Sequence, residues 1–275
     1  LTEEQRIAQK MIDDWRAVIA SYPGNRNNFI KIPGGGPRTG PKRFTTTTQL
    51  VRARNGELKF DDYAVPWGIV ARNLDVTVAR LNDYRGEARF RNGTIQMMQY
   101  EPMWANLEAA FRIDDGKVYL DRIDLESDGA RTRGTGVVDA ARWPEQLYQL
   151  ESTLTFQRMR ELFFKSHTYT LHGEGDFKGT FHLFKGGRDL TGTFTSDLLG
   201  INSVRLSNLA GSLHWTPDRF DVPEATADFH GGRTRFVYAM APINRPGVDA
   251  MLTLDAEWAD VDLLDFTNFL EWRGL

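Results

Sequence analysis

Residues 169–183, YTLHGEGDFKGTFHL, alternate between two kinds of side chain and indicate the fold. Every odd-numbered position is apolar or glycine, and every even-numbered position is polar. This period of two is typical of a β-strand with one dry face and one wet face. Fifteen residues would extend roughly 50 Å, far beyond an ordinary strand. Gly173, Gly175 and Gly179 therefore predict bends or bulges, which allow two coaxial strands in place of one.

The same alternation recurs from about residue 44 onward. Two further segments place apolar side chains on one face: Leu107, Ala109, Phe111 and Ile113, and then Val248, Ala250, Leu252 and Leu254. Turn-forming pairs separate the segments: Asn55-Gly56, Asn92-Gly93, Asp115-Gly116, Gly186-Gly187, Pro217-Asp218 and Pro246-Gly247. Asn-Gly and Asp-Gly accept the positive φ angles of hairpin turns. The pattern predicts a mainly β protein with antiparallel strands over residues 44–275.

Helices are predicted at three places beside these strands. Residues 1–22 form an N-terminal amphipathic helix, because Thr2 and Gln5 match a capping box and apolar residues follow at helical spacing. This helix packs on the body of the protein or lies on a membrane surface or a partner. Two short helices are predicted at 157–164 and 262–270.

The segment 23–43 is a Gly/Pro-rich basic loop. The wider stretch 23–54 contains Lys and Arg but no Asp or Glu. It lacks the Gly-Lys-Ser/Thr ending of a phosphate-binding loop, so a nucleotide site is not indicated. The default interpretation is a solvated loop, and contact of residues 23–54 with an anionic membrane surface is the alternative.

An internal repeat explains the pair of motifs GARTRG (129–134) and GGRTRF (231–236). Without gaps, 107–136 aligns with 209–238, and each unit reads as strand, hairpin, strand, glycine turn and strand. Arg131 and Arg133 would share one face of the last strand. We expect them to solvate the outer face of a sheet; an anion-binding role is the alternative.

Composition bounds the function. The net charge is −3, so no overall basic field favours nucleic acid. There are no cysteines, which excludes disulfides and thiolate metal sites. No run of 18 apolar residues is present to span a bilayer. Because the chain begins at Leu1, we expect a fragment or a mature form, with any membrane anchor outside it.

No motif in the sequence indicates catalysis. His172 and His182 share a strand face but stand ten residues apart, about 33 Å in an extended strand, too far to ligate one metal ion. A nucleophile elbow is absent, as is a His-Glu-x-x-His spacing. We predict a protein that is not an enzyme and uses no metal or cofactor.

Residues 116–139 carry the most specific pattern in the chain. It comprises Gly116, Val118, Leu120, Ile123, Leu125, Ser127-Asp128-Gly129, Gly134, Gly136 and Val138-Asp139. This pattern of glycines and alternating apolar residues resembles the AsmA-like proteins, specifically the TamB-type translocation and assembly proteins. The resemblance covers roughly residues 44–260.

The resemblance implies a long curved antiparallel sheet, a β-taco, whose apolar groove passes phospholipid between the inner and outer membranes. It implies a periplasmic location within an inner-membrane-anchored envelope protein, and an outer-membrane assembly protein as a possible partner. The residues predicted to line the groove are Phe177, Phe181, Leu183, Leu107, Phe111, Ile113, Leu252 and Leu254.

Three alternatives stay open at this point. Alternation alone does not separate an open groove from a closed core between two sheets. A structural module that pairs its strand edges with a partner in outer-membrane protein assembly fits the same pattern. A β-jelly-roll carbohydrate-active domain is the enzymatic alternative.

Overall fold

The structure is a computed structural model. It describes residues 47–62, 67–80, 83–97, 100–164, 169–243, 245 and 247–269. The predicted helix at 1–22 and the predicted basic loop at 23–43 lie outside these residues. All the elements below belong to the unit Thr48–Leu275.

The described chain is a 14-stranded antiparallel sheet with two short helices. Its first half comprises β1 Leu50–Asp62, β2 Trp67–Arg80, β3 Tyr84–Met97, β4 Met103–Asp114, β5 Lys117–Ser127, β6 Ala130–Asp139 and β7 Gln146–Thr155, followed by helix α1 Phe156–Phe163. The second half comprises β8 Leu171–His172, β9 Glu174–Phe184, β10 Gly187–Ile201, β11 Val204–Trp215, β12 Phe220–Phe229, β13 Gly232–Ala241 and β14 Met251–Ala259, followed by helix α2 Leu263–Phe269. The predicted mainly β fold and both short helices are confirmed.

The strands follow one another as a meander. Each strand pairs with the next along the chain, except that β7 pairs with β9 and the two-residue β8 pairs with β10. Within the described residues, β1 and β14 remain the two edges of the sheet. The alternative of a β-jelly-roll fold is wrong. A jelly roll divides its strands between two sheets, whereas all described strands belong to one sheet.

The alternating stretch 169–183 is divided at Gly173. This glycine has φ +102°, a conformation that L-residues rarely adopt, and it separates β8 from β9. A Cβ at this position would lie 2.0 Å from the Leu198 carbonyl oxygen, so the close approach of β10 also requires glycine. The predicted bend at Gly173 and the division into two strands are confirmed, whereas the bends predicted at Gly175 and Gly179 are wrong, because both glycines lie inside β9 in continuous register.

Two of the predicted hairpin turns are wrong. Asn55-Gly56 lies inside β1 and Asn92-Gly93 lies inside β3. Asn55 has φ 50° and Asn92 has φ 55°, and the strand register shifts at both places. Positive φ serves a β-bulge as well as a turn, so the dipeptides kink long strands here. Asp115-Gly116 does form the predicted hairpin between β4 and β5.

The repeat is present in the strand register. Strands β4–β5–β6 of the first unit (107–136) correspond to β11–β12–β13 of the second unit (209–238). The first unit has register shifts after Ala110 and after Leu120, and the second has them after Ser212 and after Val222. Both shifts of the first unit recur after 102 residues, the offset read from the sequence, and β11 has one further shift between Ser207 and Ala210. The units therefore share bulges as well as strand order.

Among the described residues, no helix is long and apolar enough to cross a bilayer.

Candidate functional site

One face of the sheet, called the inner face below, carries a continuous apolar row. Residues directly opposite each other in an antiparallel sheet point to the same side. Following those pairs from β1 to β14 gives Val51, Val78, Gly86, Phe111, Leu120, Gly136, Tyr148, Phe181, Leu190, Trp215, Phe220, Met240 and Leu252. We call this set the inner row. At about 4.8 Å per strand it follows the curved sheet for roughly 60 Å.

The opposite, outer face is charged. Direct pairs join Arg89, Glu108, Asp124, Arg133, Glu151 and Lys178 across neighbouring strands. Arg133 reaches Asp124 at 3.4 Å, and Lys178 reaches Glu151 at 2.7 Å. The side chains of Arg131 and Arg133 are 83% and 86% exposed. The expectation that these arginines solvate the outer face is confirmed.

All eight predicted groove residues lie on the inner face. Phe111, Phe181 and Leu252 are members of the inner row. Ile113, Leu183 and Leu254 stand two residues from row members on the same strands, and Leu107 and Phe177 stand four residues away, so strand alternation places all five on the same side.

Their exposure differs along the sheet. Phe177 and Leu183 are buried, at 6% and 8% exposure, whereas Leu252 and Leu254 on β14 are 54% and 64% exposed. Leu107, Phe111, Ile113 and Phe181 are half-buried. Val51, at the β1 end of the inner row, is 50% exposed. The inner face is thus covered in its middle and uncovered towards both ends.

Glycines let aromatic rings lie flat on the inner face. A Cβ on Gly179 would meet the Phe177 ring at 2.5 Å, and one on Gly192 would meet the same ring at 2.7 Å. Tyr148 covers Gly136 in the same way, at 2.5 Å. The rings fill the space that missing side chains leave, which produces a shallow, smooth apolar floor.

Helix α1 covers the middle of this floor. Its first residue, Phe156, lies over Gly175 of β9. At its other end, the Phe163 and Phe164 rings pack against Trp215 at 5.4 and 6.0 Å. Leu162 between them is 3% exposed. The sequence predicted this helix, but its place on the inner face depends on contacts between elements far apart in the chain.

An ion pair holds α1 to the first unit. Arg158 donates a 2.6 Å hydrogen bond to Asp128, in the turn between β5 and β6. That bond holds the pKa of the Asp128 carboxyl below its ordinary value. Arg158 also packs over Gly129, where any Cβ would lie 2.6 Å from its side chain. Asp128 and Gly129 are therefore the docking point of the helix.

Polar groups on the inner face are few, and among the described residues the buried side-chain nitrogens of Gln146 and Trp215 have no hydrogen-bond partner. The Tyr148 hydroxyl donates to Gln146 at 2.6 Å, and burial raises the pKa of Tyr148 to about 12. Arg188 is 8% exposed and lies 5.1 Å from the Trp215 ring and 5.9 Å from the Tyr100 ring. Sequence reasoning missed both Tyr100 and Arg188, because neither stands out from its neighbours in the chain.

A second aromatic contact joins distant parts of the first half. The Trp143 ring, after β6, lies 5.8 Å from Phe60 of β1 and 6.3 Å from Trp67 of β2. Its indole N–H donates to Asp62 at 2.6 Å. In a flat sheet, β1 and β6 would be roughly 24 Å apart. These contacts therefore require strong curvature of the sheet, as the resemblance implied.

No catalytic arrangement emerges from the described residues. His172 and His182 lie on different strands, β8 and β9, and His182 Nε2 is 2.8 Å from Glu145. In the described part of the chain, no group of three or more His, Asp or Glu side chains is placed to hold a metal ion. The absence of enzymatic activity stays a prediction.

Comparison with protein-family models, with curated proteins and with solved structures found no match. The resemblance to AsmA-like proteins consequently stays a prediction from the residues quoted above.

Proposed function

We propose that this chain binds acyl-chain lipids on the inner face of its sheet. In this proposal it is a lipid-passing segment of an AsmA-like, TamB-type envelope protein, and phospholipid moves along the face between two membranes. The supporting observation is the inner row, in which every residue is apolar, aromatic or glycine while the outer face is charged.

The dimensions of the inner row suit acyl chains. A bilayer has a hydrocarbon core of about 30 Å, so one acyl chain spans about 15 Å. The row is roughly four times as long. Each buried CH₂ group contributes about 0.8 kcal/mol, so binding needs apolar area and no directed chemistry.

Single-sheet architecture also supports the proposal. A closed sandwich would cover the inner face with a second sheet, and the described residues contain one sheet only. Helix α1 covers the middle of the face, while Leu252, Leu254 and Trp258 of β14 are 48–64% exposed. Lipid would first occupy an uncovered end such as that at β14, and passage along the whole row would require α1 to move.

The test is lipid occupancy of a matched pair of variants. Leu254→Glu places a charge on the exposed part of the inner face, and Thr253→Glu places the same charge on the outer face of the same strand. Each protein is incubated with phospholipid vesicles and re-isolated, and the bound lipid is quantified by mass spectrometry of organic extracts.

We expect near-stoichiometric lipid on the parent chain and on Thr253→Glu, and at least a five-fold loss on Leu254→Glu. Circular dichroism checks that the sheet persists in both. Equal lipid on the two variants, or no lipid on a folded parent chain, would refute binding on the inner face.

A further inference from the structure

Strand β14 occupies the place in the second unit that β7 occupies in the first. Arg133 of β6 stands opposite Glu151 of β7, and Arg235 of β13 stands opposite Glu257 of β14. Arg133 and Arg235 are themselves equivalent, 102 residues apart. Glu257 is therefore the counterpart of Glu151.

The chain continues in the same way after both strands. The Thr155 N–H, after β7, donates to the carbonyl of Gly129 at 2.9 Å. The Asp262 N–H, after β14, donates to the carbonyl of His230 at 2.8 Å. Both carbonyls belong to the turn before the third strand of their unit, and a helix begins at the next residue in each case. The repeat thus includes a fourth strand and a helix.

The two fourth strands differ at their second edge. β7 is paired there with β9, whose Lys178 forms a 2.7 Å ion pair with Glu151. β14 has no strand on that edge within the described residues. Among those residues, no basic side chain forms an ion pair with Glu257, because its neighbour Arg235 binds Glu224 at 3.1 Å.

Apolar side chains are uncovered around this edge. Phe156, the first residue of α1, packs over Gly175 of the strand that pairs with β7. Leu263, the first residue of α2, is 67% exposed. Leu254 and Trp258 on β14 are 64% and 48% exposed. The counterparts of Leu254 and Leu263 in the first unit, Tyr148 and Phe156, are half-buried.

Charge restricts what can cover the edge. Residues 247–269 contain six acidic residues and no basic ones: Asp249, Asp255, Glu257, Asp260, Asp262 and Asp265. Two copies joined through β14 would bring these carboxylates together, and like charges on opposed strands are destabilising. A strand with basic outward side chains would instead complete the alternation of charges seen from Asp124 to Lys178.

We propose that the edge of β14 that pairs with no strand among the described residues binds an extended strand of a partner protein in antiparallel orientation. The strand carries Lys or Arg opposite Glu257, a small residue opposite Ala256, and apolar residues opposite Leu254 and Trp258. This copies the pairing of β9 on β7, where Lys178 faces Glu151 and Gly179 faces Leu150. The proposal does not depend on lipid binding.

A synthetic peptide with the sequence of residues 173–184, GEGDFKGTFHLF, serves as the probe. Labelled with a fluorophore, it is titrated with the full chain, and binding is followed by anisotropy. We expect saturable binding. Glu257→Lys should weaken it about five-fold, because an exposed ion pair becomes a repulsion. A peptide with Lys178→Glu should bind the parent chain weakly and bind Glu257→Lys at the original strength.

Glu57→Lys is the matched control, since it makes the same charge change on β1, the opposite edge strand, and should leave the affinity unchanged. Peptides N-methylated at alternate backbone nitrogens test main-chain pairing. Methyl groups on the peptide edge that faces β14 should abolish binding, and methyl groups on the other edge should not. Absent binding, an unchanged affinity for Glu257→Lys, or indifference to N-methylation would overturn the proposal. Self-association of the chain that Glu257→Lys abolishes, without peptide binding, would overturn it in favour of a second copy.

Discussion

The first unit and the second unit share their strand order and two bulges but differ in where large and small side chains stand. In the first, Gly134 and Gly136 of β6 lie opposite Leu150 and Tyr148 of β7. In the second, Phe236 of β13 lies opposite the small Ala256 of β14. At that pair the large residue has moved to β13, whereas Tyr238 and Leu254, the counterparts of Gly136 and Tyr148, are both large.

That difference accompanies a difference in cover. The first unit is covered by β9 and by α1. Leu162 of α1 is buried, and Arg158 of the same helix contacts Asp128 and Gly129. The second unit has an uncovered strand and a helix with exposed Leu263 and Leu264. One register therefore supports both a packed core and an open apolar face, and what lies beside the unit decides which of the two forms.

The largest contrast is expected between the two helices. Leu162→Ala in α1 removes a fully packed side chain and should lower the free energy of unfolding by about 3 kcal/mol. Leu264→Ala in α2 removes a side chain that is 70% exposed and should change it by less than about 0.5 kcal/mol. Urea unfolding followed by tryptophan fluorescence measures both. Equal effects would show that α1 is not the packed helix described here.

A smaller contrast concerns the glycines. A Cβ at Gly134 would lie 2.2 Å from the Gln149 carbonyl oxygen, so Gly134→Ala forces the backbone of β6 or β7 to shift. We expect a loss of about 2 kcal/mol in unfolding free energy. Thr135→Ala, at the exposed neighbouring position, and Ala256→Val in the second unit should each stay within about 0.5 kcal/mol. A tolerated Gly134→Ala would contradict the close approach of these strands.

The smallest effect is the pH dependence of the α1 docking point. Because the Arg158 hydrogen bond lowers the pKa of Asp128, the ionised carboxylate stabilises the folded state at pH values above about 4, the ordinary pKa of Asp. That stabilisation is lost as the pH falls through the lowered pKa.

Asp128→Asn should therefore reduce the unfolding free energy by about 1 kcal/mol at pH 7, since the pair is partly exposed. Its difference from the parent chain should shrink as the pH falls below about 4. Asp255→Asn in the second unit is the control, because no ion pair of Asp255 is found among the described residues. If the difference in unfolding free energy is constant with pH, the ion pair between Asp128 and Arg158 does not stabilise the fold.

Much of the fold followed from local patterns. The period of two predicted the strands, and the offset of 102 residues predicted units whose bulges also match. The eight inner-face residues were predictable because alternation fixes sides and antiparallel pairing preserves them. Asn55 and Asn92 were misread as turns, since a local sequence gives the φ angle of a residue but not whether the strand continues beyond it.

Which residues of the inner face are buried could not be predicted from the sequence. Phe177 and Leu254 fit the same alternating pattern, yet one is buried and the other exposed. The difference comes from α1 and from the end of the sheet, which are set by contacts such as Phe163 with Trp215, 52 residues apart. Periodicity does not contain that information.

The most direct test of the central claim compares two neighbouring positions on β14. The chain has no cysteine, so Leu252→Cys and Thr253→Cys each give one site for a fluorescent label, on the inner and outer face respectively. Vesicle-derived phospholipids with brominated acyl chains, which quench on contact, are then added. We predict strong quenching of the label at 252 and little at 253. Equal quenching at the two positions, or none at 252, would contradict acyl-chain binding on the inner face.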